Sequence, residues 1–110
     1  MSILVIDDDP RRIAGFVRTF GGSINTTSSY RFAEYALRTL KGLTTIYLDF
    51  DGVDGERLAR LMADERLHTD ARVVIHSSNY IGAVRMRDIL AATHDVTLTS
   101  YAEIVGKDAT

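Results

Sequence analysis

The chain has 110 residues, 45% hydrophobic and 25% charged, the makeup of one folded domain and too short for two. Its net charge of −2 excludes a general pull toward nucleic acid or anionic lipid, so no broad nucleic-acid-binding surface is expected and partners must be held by a local site. The lack of cysteine excludes disulfides and thiolate metal centres; no targeting segment is visible, and no apolar run nears the roughly 20 residues of a membrane span, so a cytoplasmic protein without a membrane partner is expected.

Along the chain the apolar pattern switches between two periods. "SILVI" (2–6) is a continuous apolar run, the pattern of a strand buried on both faces. Ile13, Phe16, Val17 and Phe20 then fall on one helical stripe, which "GG" (21–22) ends. "SINTT" (23–27) predicts a second, more polar strand. Phe32, Ala36, Leu37 and Leu40 predict the apolar side of a second helix, stopped at Gly42. "TTIYL" (44–48) is the third strand, and Leu58, Leu61 and Met62 mark the third helix. "RVVI" (72–75) is the fourth strand, and Ala83, Met86, Ile89 and Leu90 lie on the fourth helix. "VTL" (96–98) is the fifth strand, with a short helical tail near "YAEIV" (101–105). Strand and helix in repeated alternation call for parallel pairing through right-handed crossovers. The predicted architecture is therefore a single α/β domain over 1–110, a doubly wound five-stranded parallel sheet in the flavodoxin-like order 2-1-3-4-5.

The stretch "VIDDDPRR" (5–12) places three carboxylates directly after the first strand. Asp9 before Pro10 reads as a helix start, aspartate as N-cap and proline at the first helical position. Asp7 and Asp8 remain at the carboxyl end of strand 1, and Asp49 and Asp51 follow strand 3 in "YLDFDGVDGE". In this topology strands 1 and 3 are neighbours and the strand order reverses between them, where ligands bind. Four carboxylates are thus expected in one crevice. Such a cluster is costly unless a cation offsets it or some members stay protonated. All-oxygen ligation suits Mg²⁺ or Mn²⁺, with Asp7, Asp8 and Asp49 as ligands. Asp54 reads instead as a cap of the "DGVDGE" turn.

"VVIHSSNYIG" (73–82) closes the fourth strand with His76, Ser77, Ser78 and Asn79 ahead of a helix that Asn79 can cap. Serine hydroxyls and the N–H groups of a helix start suit a phosphate. His76 reads equally as a structural histidine or as a proton donor and phosphate ligand. Arg11, Arg12 and Arg85 can reach the same rim, with surface solvation as the default for each.

With these residues in place the chain resembles the receiver domains of two-component signalling over nearly its whole length. "ILVIDDDP" is similar to their acidic-pair strand, Asp49 in "IYLD" matches their phosphoaccepting aspartate, and Ser77 stands where they keep a switch serine or threonine. Thr99 occupies the place of their lysine, and neither Lys41 nor Lys107 follows a strand. The loop after Asp49 also lacks their usual proline. The closer resemblance is to a derived branch known from bacteria and phages, the cyclic-phosphate processing receiver domains. "HSSNYIGAVRM" matches that branch's "HSxNPxGxxRM" at His76, Ser77, Asn79, Gly82, Arg85 and Met86, and "LDFDGVDGE" resembles its "LDHDLG" turn. That branch also lacks the lysine. Phe50 stands where it carries histidine, and Tyr80 where it carries proline.

The resemblance implies metal-dependent handling of nucleotides or RNA ends that bear a phosphate or cyclic phosphate. In that reading a cation on Asp7, Asp8 and Asp49 polarises the phosphodiester and activates water. Asp51 assists as ligand or base, Ser77, Ser78 and Asn79 hold phosphate oxygens, and His76 protonates the departing ribose oxygen. Direct attack by Asp49 is the variant of the same chemistry. Two other functions stay open. One is a signalling module phosphorylated on Asp49, which lacks its lysine countercharge. The other is a non-catalytic interaction protein with a protein partner, supported by Phe50 beside the acidic cluster.

Overall fold

Strand and helix alternate through the chain in a computed structural model that describes residues 2–109. The strands are β1 (Ile3–Ile6), β2 (Asn25–Thr27), β3 (Thr45–Leu48), β4 (Arg72–Ile75) and β5 (Asp95–Leu98). The helices are α1 (Pro10–Phe20), α2 (Tyr30–Thr39), α3 (Gly55–Asp64), α4 (Tyr80–Leu90) and α5 (Tyr101–Ala109). All four strand pairings are parallel, in the order β2-β1-β3-β4-β5. The predicted sheet and its reversal between β1 and β3 are therefore present. Among the described residues no helix is long and apolar enough to cross a membrane.

Side-chain alternation along each strand sends two sets of residues to opposite faces. Leu4, Ile6, Ile46, Leu48, Val73 and Ile75 face the larger core, which α2, α3 and α4 cover with Ala33, Leu37, Leu58, Met62, Met86 and Leu90. Ile3 and Val5 face a smaller core, closed by Phe16 of α1 and Val105 of α5, with Tyr47 and Tyr101 packed against it. The interior strand β1, paired on both sides, is buried along its whole length, which accounts for its unbroken apolar sequence.

Three helix starts follow from local chemistry. Asp9 accepts a hydrogen bond from the Arg11 N–H, and Pro10 opens α1. Ser29 caps α2 through the Phe32 N–H, and Asn79 caps α4 through the Gly82 N–H. Asp54 corrects its expectation: it precedes α3 in a left-handed conformation (φ 53°), outside the extended range of a capping residue, and its side chain makes no capping bond. The apolar stripe of α2 is likewise rotated from the expected one. Ala33, Ala36 and Leu37 are buried, whereas Phe32 is 66% exposed. The second strand is shorter than 23–27, and α5 is longer than the expected tail.

Gly55 fixes the start of α3 against the end of β3. A Cβ there would lie 2.2 Å from the Asp49 carbonyl oxygen and 2.8 Å from the Phe50 Cα, neither of which can move without shifting the strand end. Gly55→Ala is therefore expected to lose about 1–3 kcal/mol of stability, read as a lower urea midpoint with unchanged slope.

Candidate functional site

Continuation of the strand ladders brings the site together. The Asp7 N–H donates to the Thr27 carbonyl, Asp49 N–H to Ile6, His76 N–H to Leu48 and Thr99 N–H to Ile75. Asp7, Asp49, His76 and Thr99 thus form one row, each a single step past the carboxyl end of its strand. Alternation then turns Asp7, Asp49 and His76 toward the same face as Val5, Tyr47 and Val74, under α1. Carboxylate oxygens of Asp7, Asp8 and Asp49 lie within 4.8 Å of one another. Asp7 and Asp49 are buried and Asp8 is exposed.

Asp51 is not in this group. It is exposed and lines a neighbouring cleft with Phe50, Gly52, Glu56 and Arg57. The next residue, Gly52, has φ +79°, and a Cβ there would strike the Asp8 carboxylate at 1.8 Å. Three carboxylates converge at the cluster rather than four.

The cation at this cluster is Arg12. Its Nε donates to Asp7 Oδ2 at 2.7 Å and its Nη2 to Asp7 Oδ1 at 2.8 Å, a two-point fork. Nη2 also donates to Asp49 Oδ2 at 3.1 Å and stands 3.7 Å from Asp8. Surface solvation is therefore corrected for Arg12, although it describes Arg11, and Arg85 pairs with Glu56 at the surface. Side chains in a first helical turn point back toward the helix start, and only the fold sets that start against the end of β1.

Behind the carboxylates, the buried His76 ring donates from Nε2 to Asp7 Oδ2 at 2.9 Å. Its Nδ1 has no partner among the described residues, and its ring packs against Phe16 with centroids 5.2 Å apart. Asp7 thus accepts from Arg12 and His76 and, at Oδ1, from the Asp9 N–H. Burial raises its pKa, but these bonds outweigh it and hold the carboxyl at about 2. Asp49 goes the other way. Burial, and then the negative charge of Asp7, raise its pKa above the usual value despite the Phe50 N–H bond to Oδ1.

Ser77 and Ser78 line a different cleft of about 320 Å³, with Tyr80, Leu98, Thr99 and Glu103. The Ser77 hydroxyl accepts from the Asn79 N–H, and the Asn79 side-chain oxygen Oδ1 accepts the Gly82 N–H that caps α4. Thr99, just past the end of β5, donates its hydroxyl to Glu103.

The Asp7, Asp8 and Asp49 oxygens are hard donors of the right chemistry for Mg²⁺ or Mn²⁺. Their fit to a cation has one condition. Four donor contacts fill the lone-pair positions of Asp7, two of them from Arg12, so a cation gains Asp7 only where the arginine leaves.

The receiver domain of Francisella response regulator 1452 superposes with a TM-score of 0.62 over 96% of this chain and 91% of that domain, at 22% identity. No family model matches the sequence. No curated protein matches it. At this identity the likeness establishes the fold alone: the chain has the five-stranded flavodoxin-like topology that this receiver domain also shows.

Proposed function

We propose that this receiver-like domain processes phosphate or cyclic phosphate on a nucleotide or RNA end with a divalent cation held at Asp7, Asp8 and Asp49. The supporting observation is the convergence of those three carboxylates within 4.8 Å at the sheet's topological switch point. Mg²⁺ or Mn²⁺ there supplies Lewis-acid polarisation of a phosphoryl oxygen. Asp49 lies beside it as the carboxylate suited to take a proton from the attacking water or, as the variant, to attack phosphorus itself, the departing ribose oxygen taking its proton from solvent. Asp51, exposed on the next loop, is placed to assist at the rim. Ser77 and Ser78 line the separate β4–α4 cleft and would hold phosphate oxygens only of a substrate that reaches across to it, and Asn79 holds the start of α4. His76, buried behind Asp7, acts as a positioning residue that orients this carboxylate, in place of the proton donor expected from its motif.

A 2′,3′-cyclic nucleotide incubated with Mn²⁺ or Mg²⁺ and followed by phosphorus NMR tests the proposal. Ring opening that needs metal and is lost in Asp49→Asn is the expected result. A second reading, a non-catalytic protein that binds a partner, is favoured by Tyr80 and Ile81, 72% and 74% exposed at the start of α4. Cation binding without turnover of cyclic nucleotides or of RNA ends bearing 2′,3′-cyclic phosphate would select that reading.

A further inference from the structure

We propose that Arg12 is a resident countercharge that a divalent cation must displace, so that metal binding here is an exchange of one cation for another. The inference rests on the cation reading above and adds what sets the affinity. Arg12 engages both Asp7 oxygens, at 2.7 and 2.8 Å, and Asp49 at 3.1 Å, so it spans two of the three proposed ligands. With the Asp9 N–H and His76 Nε2 on Asp7 as well, that carboxylate has no lone-pair position to spare. Of these donors only Arg12 can withdraw. The N–H belongs to the fixed start of α1, and the His76 ring is buried against Phe16.

The arginine also has somewhere to go. Its side chain is 32% exposed, and its Nη1 is already 3.5 Å from Asp9 Oδ2. Beyond lies an open cleft of about 420 Å³ lined by Asp9, Arg11, Arg12 and Tyr101. A rotation of the outer side-chain torsions would trade Asp7 and Asp49 for Asp9 and water while the backbone of α1 stays in place. A dication then offsets the carboxylates that a single positive charge offsets in its absence. Two consequences follow: the acidic cluster is compensated without metal, and its cation affinity is weaker than three convergent carboxylates alone would give.

The test reads Arg12 directly in the unmodified protein. Its Nε–H resonance, protected from solvent exchange by the Asp7 bond, is expected to shift and lose protection as Mg²⁺ is added, following the binding isotherm measured by calorimetry. Arg12→Gln, which removes the fork, is expected to bind Mg²⁺ or Mn²⁺ about ten- to a hundredfold more tightly. If that variant does not fold, Arg12→Lys, which keeps the charge but not the two-point bond, is measured with the same expectation. Binding by a variant where the unmodified protein shows none also supports the exchange. Binding with an unmoved Arg12 resonance, or with equal or weaker affinity in the variant, overturns it and leaves the metal site standing. Absence of binding in every form overturns the exchange and the metal site together.

Discussion

Asp7→Ala is expected to destabilise the protein by about 3 kcal/mol, toward the low end of what breaking a buried ion pair costs. The aspartate side chain is fully buried, and its loss strands three donor groups at once: the Arg12 fork, His76 Nε2 and the Asp9 N–H. Arg12 can turn to Asp9 or solvent, which limits the penalty. His76 cannot, because its side chain is fully buried and its Nδ1 already lacks a partner. Urea unfolding should show a lower midpoint with unchanged slope. A loss under about 1 kcal/mol would mean that Asp7 is not the hub of the cluster.

The pH dependence separates the two buried aspartates by sign. Asp7 has a folded pKa of about 2, below its unfolded 3.8. Its contribution is fully present above pH 3.8 and is lost as pH falls toward 2, so Asp7→Ala should flatten that acid limb of the stability curve. Asp49 is raised by burial and by Asp7. Its contribution is present at low pH and is lost as pH rises through its folded value, so in metal-free protein it opposes Asp7 above the ordinary carboxylate range.

The parts of this molecule legible in the sequence are those governed by local rules. Continuous apolar β1, the Asp9-Pro10 helix start and the Asn79 cap each depend on a few adjacent residues, and strand alternation with helices sets the topology. The convergence of Asp7, Asp8 and Asp49 followed from that topology, because strand order places the carboxyl ends of β1 and β3 side by side. Features decided by direction rather than position were not legible. Asp51 and Asp49 are two residues apart, yet Asp51 lines the neighbouring cleft and Asp49 the cluster. Arg12 looked like any surface arginine until the start of α1 was set against the end of β1. His76 read equally as a structural or a functional histidine, and alternation turns its ring under α1, away from the cleft of Ser77 and Ser78.

Phe16→Ala is expected to cost about 3–5 kcal/mol, a large share of the roughly 5–15 kcal/mol typical of a domain. Phe16 is the largest fully buried side chain, and it closes the smaller of the two cores. Its ring meets Tyr47 at 5.1 Å, His76 at 5.2 Å, Tyr101 at 5.5 Å and Phe20 at 6.3 Å between centroids. Aromatic walls on several sides are stiff and held by different elements, so the space left by alanine cannot readily collapse. Leucine at the same position fills most of that space and should cost markedly less. The two variants also differ at the site, since Phe16 is the wall that keeps His76 Nε2 aimed at Asp7. With alanine the His76 ring gains room to turn, and the acid limb due to Asp7 should weaken along with global stability; with leucine it should persist. If both variants lose the limb equally, His76 is held by something other than the aromatic wall, and the coupling between core and acidic cluster does not run through Phe16.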